Sequence, residues 1–232
     1  MHQADEIIMK PIAEIHTDFP TKFGIPRQGN LIEELKAEIV FHKEFQNPEA
    51  IRGLEEFSHI WLIWGFSANV GKEWSPTVRP PRLGGNKRMG VFATRSPFRP
   101  NPLGLSLVKL EGIEKTKKNG MILRVSGADL MDKTPIYDIK PYLPHIEALP
   151  DATGGFATQV KDYKLTVSCD EKLLNILPKE KRQALLLALA EDPRPSYQKD
   201  EERIYGFLFA GFEVKFQVIG TILHVREIAK SE

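Results

Sequence analysis

Residues 79–110, RPPRLGGNKRMGVFATRSPFRPNPLGLSLVKL, do most to limit what this chain can become. A segment that only packed a core would alternate apolar and polar residues between turns. This one instead sets six cationic side chains (Arg79, Arg82, Lys87, Arg88, Arg95 and Arg99) among glycines and prolines. One short apolar strand, residues 90–93, is predicted in the middle. Gly84-Gly85 lets the backbone approach a ligand closely, and Pro97, Pro100 and Pro102 stiffen the second loop. Rigid loops with cations at both ends of a strand fit an anion or nucleic-acid site on a sheet scaffold. A solvated proline-rich surface loop has the same spacing. The net charge is only +1, so affinity for nucleic acid must come from this local patch.

The flanking sequence supplies the scaffold. Residues 7–16 are a strand candidate, with Pro11 favouring an edge. A loop follows over residues 17–30, in which Arg27 and Gln28 offer several donors to a carboxylate or a base edge; a plain turn fits equally. Residues 35–41 read as strand or as helix, since short apolar runs leave this open. Asn47, Pro48 and Glu49 form a helix start, predicting a short helix over residues 48–54. The run FSHIWLIWGF, residues 57–66, predicts a strand covered on both faces. His59 on that strand reads as a structural histidine rather than a catalytic one. Ser67-Ala68 ends the strand where a ligand can sit, and Trp74 either stacks on a base or covers the core. Asn119-Gly120 marks a tight hairpin between strands predicted at 105–115 and 121–127. Asp129, Asp132, Asp138, Lys140 and Tyr142 follow within one short stretch, which suits proton transfer or simple loop ion pairs.

Residues 150–163 read as a linker. Beyond it, a strand at 164–168, a helix capped by Asp170, a helix over 179–190 and three strands (203–209, 212–219, 221–228) predict a smaller unit. That unit is too small for a generous core of its own and is expected to lean on the first. The division expected is 1–158 and 159–232.

Several chemistries are not indicated. There is no GxGxxG after a strand, no P-loop, no HExxH and no GxSxG elbow. The six histidines show no metal-ligand spacing, and Cys169, the single cysteine, argues against a thiolate metal site and for a reducing cytoplasm. No metal is expected. No run of about 18 apolar residues predicts a membrane span, and no signal peptide is read at the start. A basic, proline-rich pocket suits direct group transfer, in which positioning supplies most of the rate, or binding alone.

The motifs Pro26-Arg27-Gln28, RGLEEFSHIW (52–61), TVRPPRLGGNKRMGVFATRSPFRPNPLGLS (77–106), DIKPYLP (138–144) and DPRPSY (192–197) together resemble the TsaA-like family. These are bacterial tRNA (adenine-N6)-methyltransferases acting on threonylcarbamoyladenosine beside the anticodon. The resemblance runs from about residue 12 to the end. It implies a mainly β protein: a single-sheet β-barrel followed by a small α+β domain. It implies S-adenosylmethionine as methyl donor, the tRNA anticodon arm as partner, and a homodimer with the cofactor near the subunit interface. Cofactor contacts carried over are Pro26, Arg27, Gln28, Ser67, Ala68, Arg95, Leu105, Ser126, Gly127, Ala128 and Asp129. Ser67-Ala68 departs from the His-Gln common in relatives. The catalytic candidates are Arg99 or Lys140 for the substrate carboxylate, Asn101 or Asp138 toward the N6–H, and Tyr142 close by. The basic loops would hold phosphates, and Trp74 or Tyr197 would stack on unpaired bases.

Overall fold

The computed structural model describes residues 7–80, 87–160, 163–194 and 200–231. Arg82, Gly84, Gly85 and Tyr197 lie outside the described residues. The strands are β1 (Ala13–His16), β2 (Lys36–Phe41), β3 (His59–Gly65), β4 (Thr77–Val78), β5 (Met89–Gly90), β6 (Leu103–Thr116), β7 (Gly120–Ser126) and β8 (Thr134–Pro141), then β9 (Thr166–Ser168), β10 (Ile204–Phe209), β11 (Phe212–Ile219) and β12 (Ile222–Lys230). The α-helices are α1 (Pro144–Glu147), α2 (Glu171–Leu174) and α3 (Lys179–Ala190).

Six strands close on one another in the order β1-β2-β7-β6-β3-β8, every pairing antiparallel. Closure depends on β6, which is long enough to serve two partners. Its first half, through Lys109, pairs with β3, and its second half, from Lys109, pairs with β7. The register shifts between Leu110 and Gly112, and a bulge of this kind bends the strand and increases its twist. The extra residue is Glu111, whose carboxylate accepts from Ser126 Oγ at 2.7 Å and Lys36 Nζ at 3.0 Å. Inward-pointing Ile15, Ile39, Ile60, Leu62, Val108, Leu123 and Ile136 fill the barrel.

The second sheet runs β10-β11-β12-β9, with β9 parallel to β12 and the rest antiparallel. Helix α3 buries Ala184, Leu185, Ala188 and Leu189, at the spacing of one helix face. The core beneath it takes Phe19, Ile32 and Leu35 from the chain between β1 and β2. Phe23 stacks on Tyr205 and Phe216 and meets Phe207 edge-on. The small unit thus completes its core with side chains from the first, as its length requires. Asp18 adds a polar tie: its carboxylate receives Lys181 Nζ at 2.7 and 2.8 Å, and its carbonyl receives the Ala210 N–H at 2.9 Å.

Some expectations need correction. Strand β1 begins at Ala13, and both its sides are paired, so Pro11 precedes a closed wall rather than marking an edge. The helix expected over 48–54 is two 3₁₀ turns, Pro48–Ile51 and Leu54–Glu56, separated by Gly53 at φ +82°. Asn47 does cap the first, accepting from Glu49 N at 3.0 Å. Residues 90–93 are not a strand: β5 ends at Gly90, and Val91–Ala93 turn as a 3₁₀ helix closed by Thr94 Oγ1 donating to the Val91 carbonyl at 2.8 Å. Strand β3 alternates buried and half-covered residues through Trp64, with Trp61 and Ile63 half-covered on the outer side, and ends on buried Gly65. The five polar residues after β7 do not gather. Asp132 meets His16 at 3.3 Å and Thr17 N at 3.1 Å, whereas Asp138 pairs with Lys140 at 3.1 Å.

Candidate functional site

A cleft of about 410 Å³ opens at the end of β6, lined by Pro26, Arg27 and Gln28, by Trp64 and Phe66, by Thr94, Arg95, Arg99 and Asn101, and by Leu103, Gly104, Leu105 and Asp129. Four parts of the chain make it: the loop before β2, the end of β3, the proline-braced loop leading into β6 with the first residues of that strand, and the turn after β7. The volume falls within the range of about 300–1,000 Å³ usual for small-molecule sites.

One wall carries a chain of hydrogen bonds. Trp64 Nε1 donates to Ser106 Oγ at 2.9 Å, and Ser106 Oγ donates to Asp129 Oδ1 at 2.6 Å. Trp64 and Ser106 are buried, and both sit on paired strands, so the Asp129 carboxylate is supported by rigid elements. Burial pushes the Asp129 carboxyl above the usual carboxylate range, against the opposing pull of Ser106, main-chain N–H groups and the Arg95 charge. Gly29 approaches from the other side; a Cβ there would lie 2.9 Å from the Leu107 carbonyl oxygen and 3.2 Å from Asp129 Oδ1.

The opposite rim is cationic. Arg95 Nη1 donates to Gln28 Oε1 at 2.7 Å, and Gln28 Nε2 donates to the Arg27 carbonyl at 2.6 Å, so the two loops are latched together. Arg27 Nη2 donates to the Arg194 carbonyl at 3.1 Å. Arg99 Nη1 donates to the carbonyls of Thr94 (3.2 Å) and Ser96 (3.4 Å), bracing the loop that carries Arg95.

The cleft unites Pro26, Arg27, Gln28, Arg95, Leu105 and Asp129 with Arg99 and Asn101. Ser67 and Ala68 are exposed in the turn Ser67–Asn69, just past Phe66. Ser126, Gly127 and Ala128 lie buried behind the wall. Gly127 receives the Asn30 N–H at its carbonyl (2.7 Å) and donates to the Leu35 carbonyl (3.0 Å), which delivers the chain to Asp129. Asp138, Lys140 and Tyr142 stand apart. Asp138 lines a second cleft with Phe41, Glu44 and Asn47, and Tyr142 packs edge-on against His59 and Trp61. In register, however, Leu105, Ile63 and Asp138 lie side by side across β6, β3 and β8. At strand spacing, Asp138 is thus about 10 Å from Leu105 along the outer wall. Trp64, Phe66 and Ser106 were not legible as site residues. Among the described basic residues, Arg79, Lys87 and Arg88 are exposed around β4 and β5, and Trp74 is 52% exposed nearby in sequence.

Together the fold and cleft define a β-barrel protein whose cleft brings guanidinium groups, a half-buried carboxylate and apolar surface together. The chain belongs to the tRNA-methyltransferase O (TrmO) family, whose N-terminal domain model matches residues 14–148 and whose C-terminal domain model matches residues 162–231. It is 44% identical over 215 residues to a tRNA (adenine(37)-N6)-methyltransferase of Escherichia coli K12, covering 89% of this chain and 91% of that one. A protein of the same description from Eikenella corrodens is 53% identical over 163 residues, covering 70% and 91%. A crystal structure of TrmO from Pseudomonas aeruginosa superposes with a TM-score of 0.80 at 31% identity, covering 100% of both chains.

Proposed function

We propose that this chain transfers a methyl group from S-adenosylmethionine to N6 of adenosine 37 in tRNA, and that the adenosine already carries a threonylcarbamoyl group. The observation that carries this is the convergence of Arg27, Arg95 and Asp129 in one cleft beside apolar Pro26, Phe66 and Leu105. The residues fit the donor. Arg95 or Arg27 meets its carboxylate, Asp129 accepts from its ammonium or ribose hydroxyls, and the apolar wall takes the adenine.

When bound, S-adenosylmethionine supplies a sulfonium methyl group open to in-line attack. The protein's part is placement. Asn101 orients the N6–H of the adenine. Arg99 binds the carboxylate of the threonylcarbamoyl group. Held by Arg27, Arg95 and Asp129, the donor would supply its methyl group to N6, and the N6 proton would pass to solvent.

We place Asp138, Lys140 and Tyr142 along the path of the RNA on the outer wall. We also propose a homodimer, because Phe98 and Leu105 leave an apolar rim, 40% and 47% exposed, beside the cleft. The residues divide as 1–158 for the barrel domain and 159–232 for the α+β domain, and the enzyme works in the cytoplasm. Mass analysis of anticodon-loop nucleosides from cells lacking the protein tests the reaction. Unchanged methylation of adenosine 37 would sink it.

The site map has its own test. Arg95→Ala is expected to weaken S-adenosylmethionine binding by about 10- to 100-fold, the scale of a charge-assisted hydrogen bond, with tRNA affinity nearly unchanged. Lys87→Ala is expected to do the opposite, lowering tRNA affinity and reducing the slope of log K against log salt by about 1. Calorimetry for the cofactor and filter binding for tRNA read the two arms. The reverse pattern would discard the map.

A further inference from the structure

Residues 192–194, the described part of the DPRPSY motif, meet the rim of the cleft at Arg27 but have so far been given no part in it. Asp192 follows α3 with a left-handed backbone, φ +52°. Its carboxylate is buried and grips Arg194 bidentately: Nε to Oδ1 at 2.9 Å and Nη2 to Oδ2 at 3.0 Å. The Arg194 N–H also points at Oδ1, at 3.3 Å, and Tyr163 Oη donates to Oδ2 at 3.0 Å. Burial opposes ionisation of Asp192, but Arg194 and the Tyr163 hydroxyl outweigh it and hold the carboxyl below its ordinary value. The knot is therefore charged, closed and rigid. Among the described residues it reaches the cleft through the Arg194 carbonyl, which accepts Arg27 Nη2 at 3.1 Å. A carbonyl fixed at that place is one of the contacts that hold the Arg27 guanidinium on the cleft rim.

We infer that Asp192, Arg194 and Tyr163 of the C-terminal unit are positioning residues for the cofactor cleft, acting through the Arg194 carbonyl on Arg27. This rests on the proposed use of that cleft for S-adenosylmethionine. The second unit then does more than complete a shared core: it sets one of the two cations that read the donor's carboxylate. A guanidinium tethered before the ligand arrives loses less freedom on binding, so the effect belongs in affinity rather than in turnover.

Asp192→Asn tests this with little backbone cost, because asparagine tolerates the left-handed conformation. The full-length variant is expected to bind S-adenosylmethionine about tenfold more weakly, the size of one lost charge-assisted hydrogen bond, and to keep kcat at saturating cofactor. In an Arg27→Ala background the same substitution should add nothing, as coupled residues do. Tyr163→Phe, a milder cut at a half-exposed residue, should weaken cofactor binding about threefold, in line with the lower value of a neutral hydrogen bond. Lys181→Ala cuts a different polar tie between the units and should leave cofactor affinity unchanged. Arg27→Ala weak but Asp192→Asn and Tyr163→Phe both like wild type would overturn the inference alone. So would equal losses from Asp192→Asn with and without Arg27. A wild-type protein that binds no S-adenosylmethionine would remove the reading beneath it as well.

Discussion

Asp129→Asn is expected to melt higher than the wild type and to bind S-adenosylmethionine at least tenfold more weakly, the cost of removing a charged partner from a hydrogen bond. Both effects have one cause. The Asp129 carboxyl is pushed above its ordinary range chiefly by burial, so ionising it at neutral pH opposes folding. For a group whose folded pKa is raised, the stability it contributes is fully present below the unfolded pKa. That stability is lost as pH rises through the folded pKa. The amide carries no charge, keeps an oxygen to accept from Ser106, and escapes that loss. For a chain of this size, each 1 kcal/mol gained appears as about 2–4 °C in Tm. The gain should vanish in acid, below the ordinary carboxylate range.

Cofactor affinity runs the other way. The ionised carboxylate attracts the donor's positive groups, so wild-type affinity should climb with pH through the raised pKa of Asp129. The variant should show no such climb. Thermal melts and calorimetry over a pH series rising from the ordinary carboxylate range check both curves. A variant that melts lower and binds normally would show that Asp129 is only a structural acceptor.

That opposition explains what the sequence disclosed and what it hid. Arg95 stood out in the sequence because it belongs to a run of cations set among glycines and prolines, whereas Arg27 and Gln28 read equally as a plain turn and Asp129 as a loop ion pair, so their place beside a cofactor came from the family resemblance. Trp64 and Ser106 were hidden. Trp64 stands in an apolar run, where the bland reading of a core aromatic is also true: it is 9% exposed. Its second duty, donating to Ser106, depends on the pairing of β3 with β6, residues about forty positions apart, and pairing register cannot be read from either strand alone. The same holds for Asp192, whose link to Arg27 spans 167 positions between Arg27 and Arg194. Local patterns did find β10, β11 and α3, where alternation and helical spacing are strong. They failed at residues 90–93 and 48–54, where a threonine hydroxyl and a glycine, respectively, stop the regular element.

Gly104→Ala carries the largest structural consequence. Gly104 faces Trp64 directly across the β3–β6 pair, and a Cβ at 104 would clash with Cε2, Cζ2 and Cδ2 of the indole. The neighbouring atoms are the rigid body of a buried aromatic on a paired strand, not the far end of a flexible chain. The indole must leave its place, and overpacking of this kind costs about 1–3 kcal/mol. When it moves, Nε1 no longer reaches Ser106, and Ser106 is freed to rotate away from Asp129. The expected result is a melting temperature lower by about 2–4 °C for each 1 kcal/mol lost, with cofactor affinity down by more than the tenfold predicted for Asp129→Asn. Ser106→Ala separates the two steps. It removes the relay but leaves the indole seated, so it should lower cofactor affinity while disturbing Trp64 fluorescence little, whereas Gly104→Ala should change both. If Gly104→Ala binds the cofactor normally, the close approach of β6 to Trp64 serves packing only, and the wall of the cleft does not depend on it.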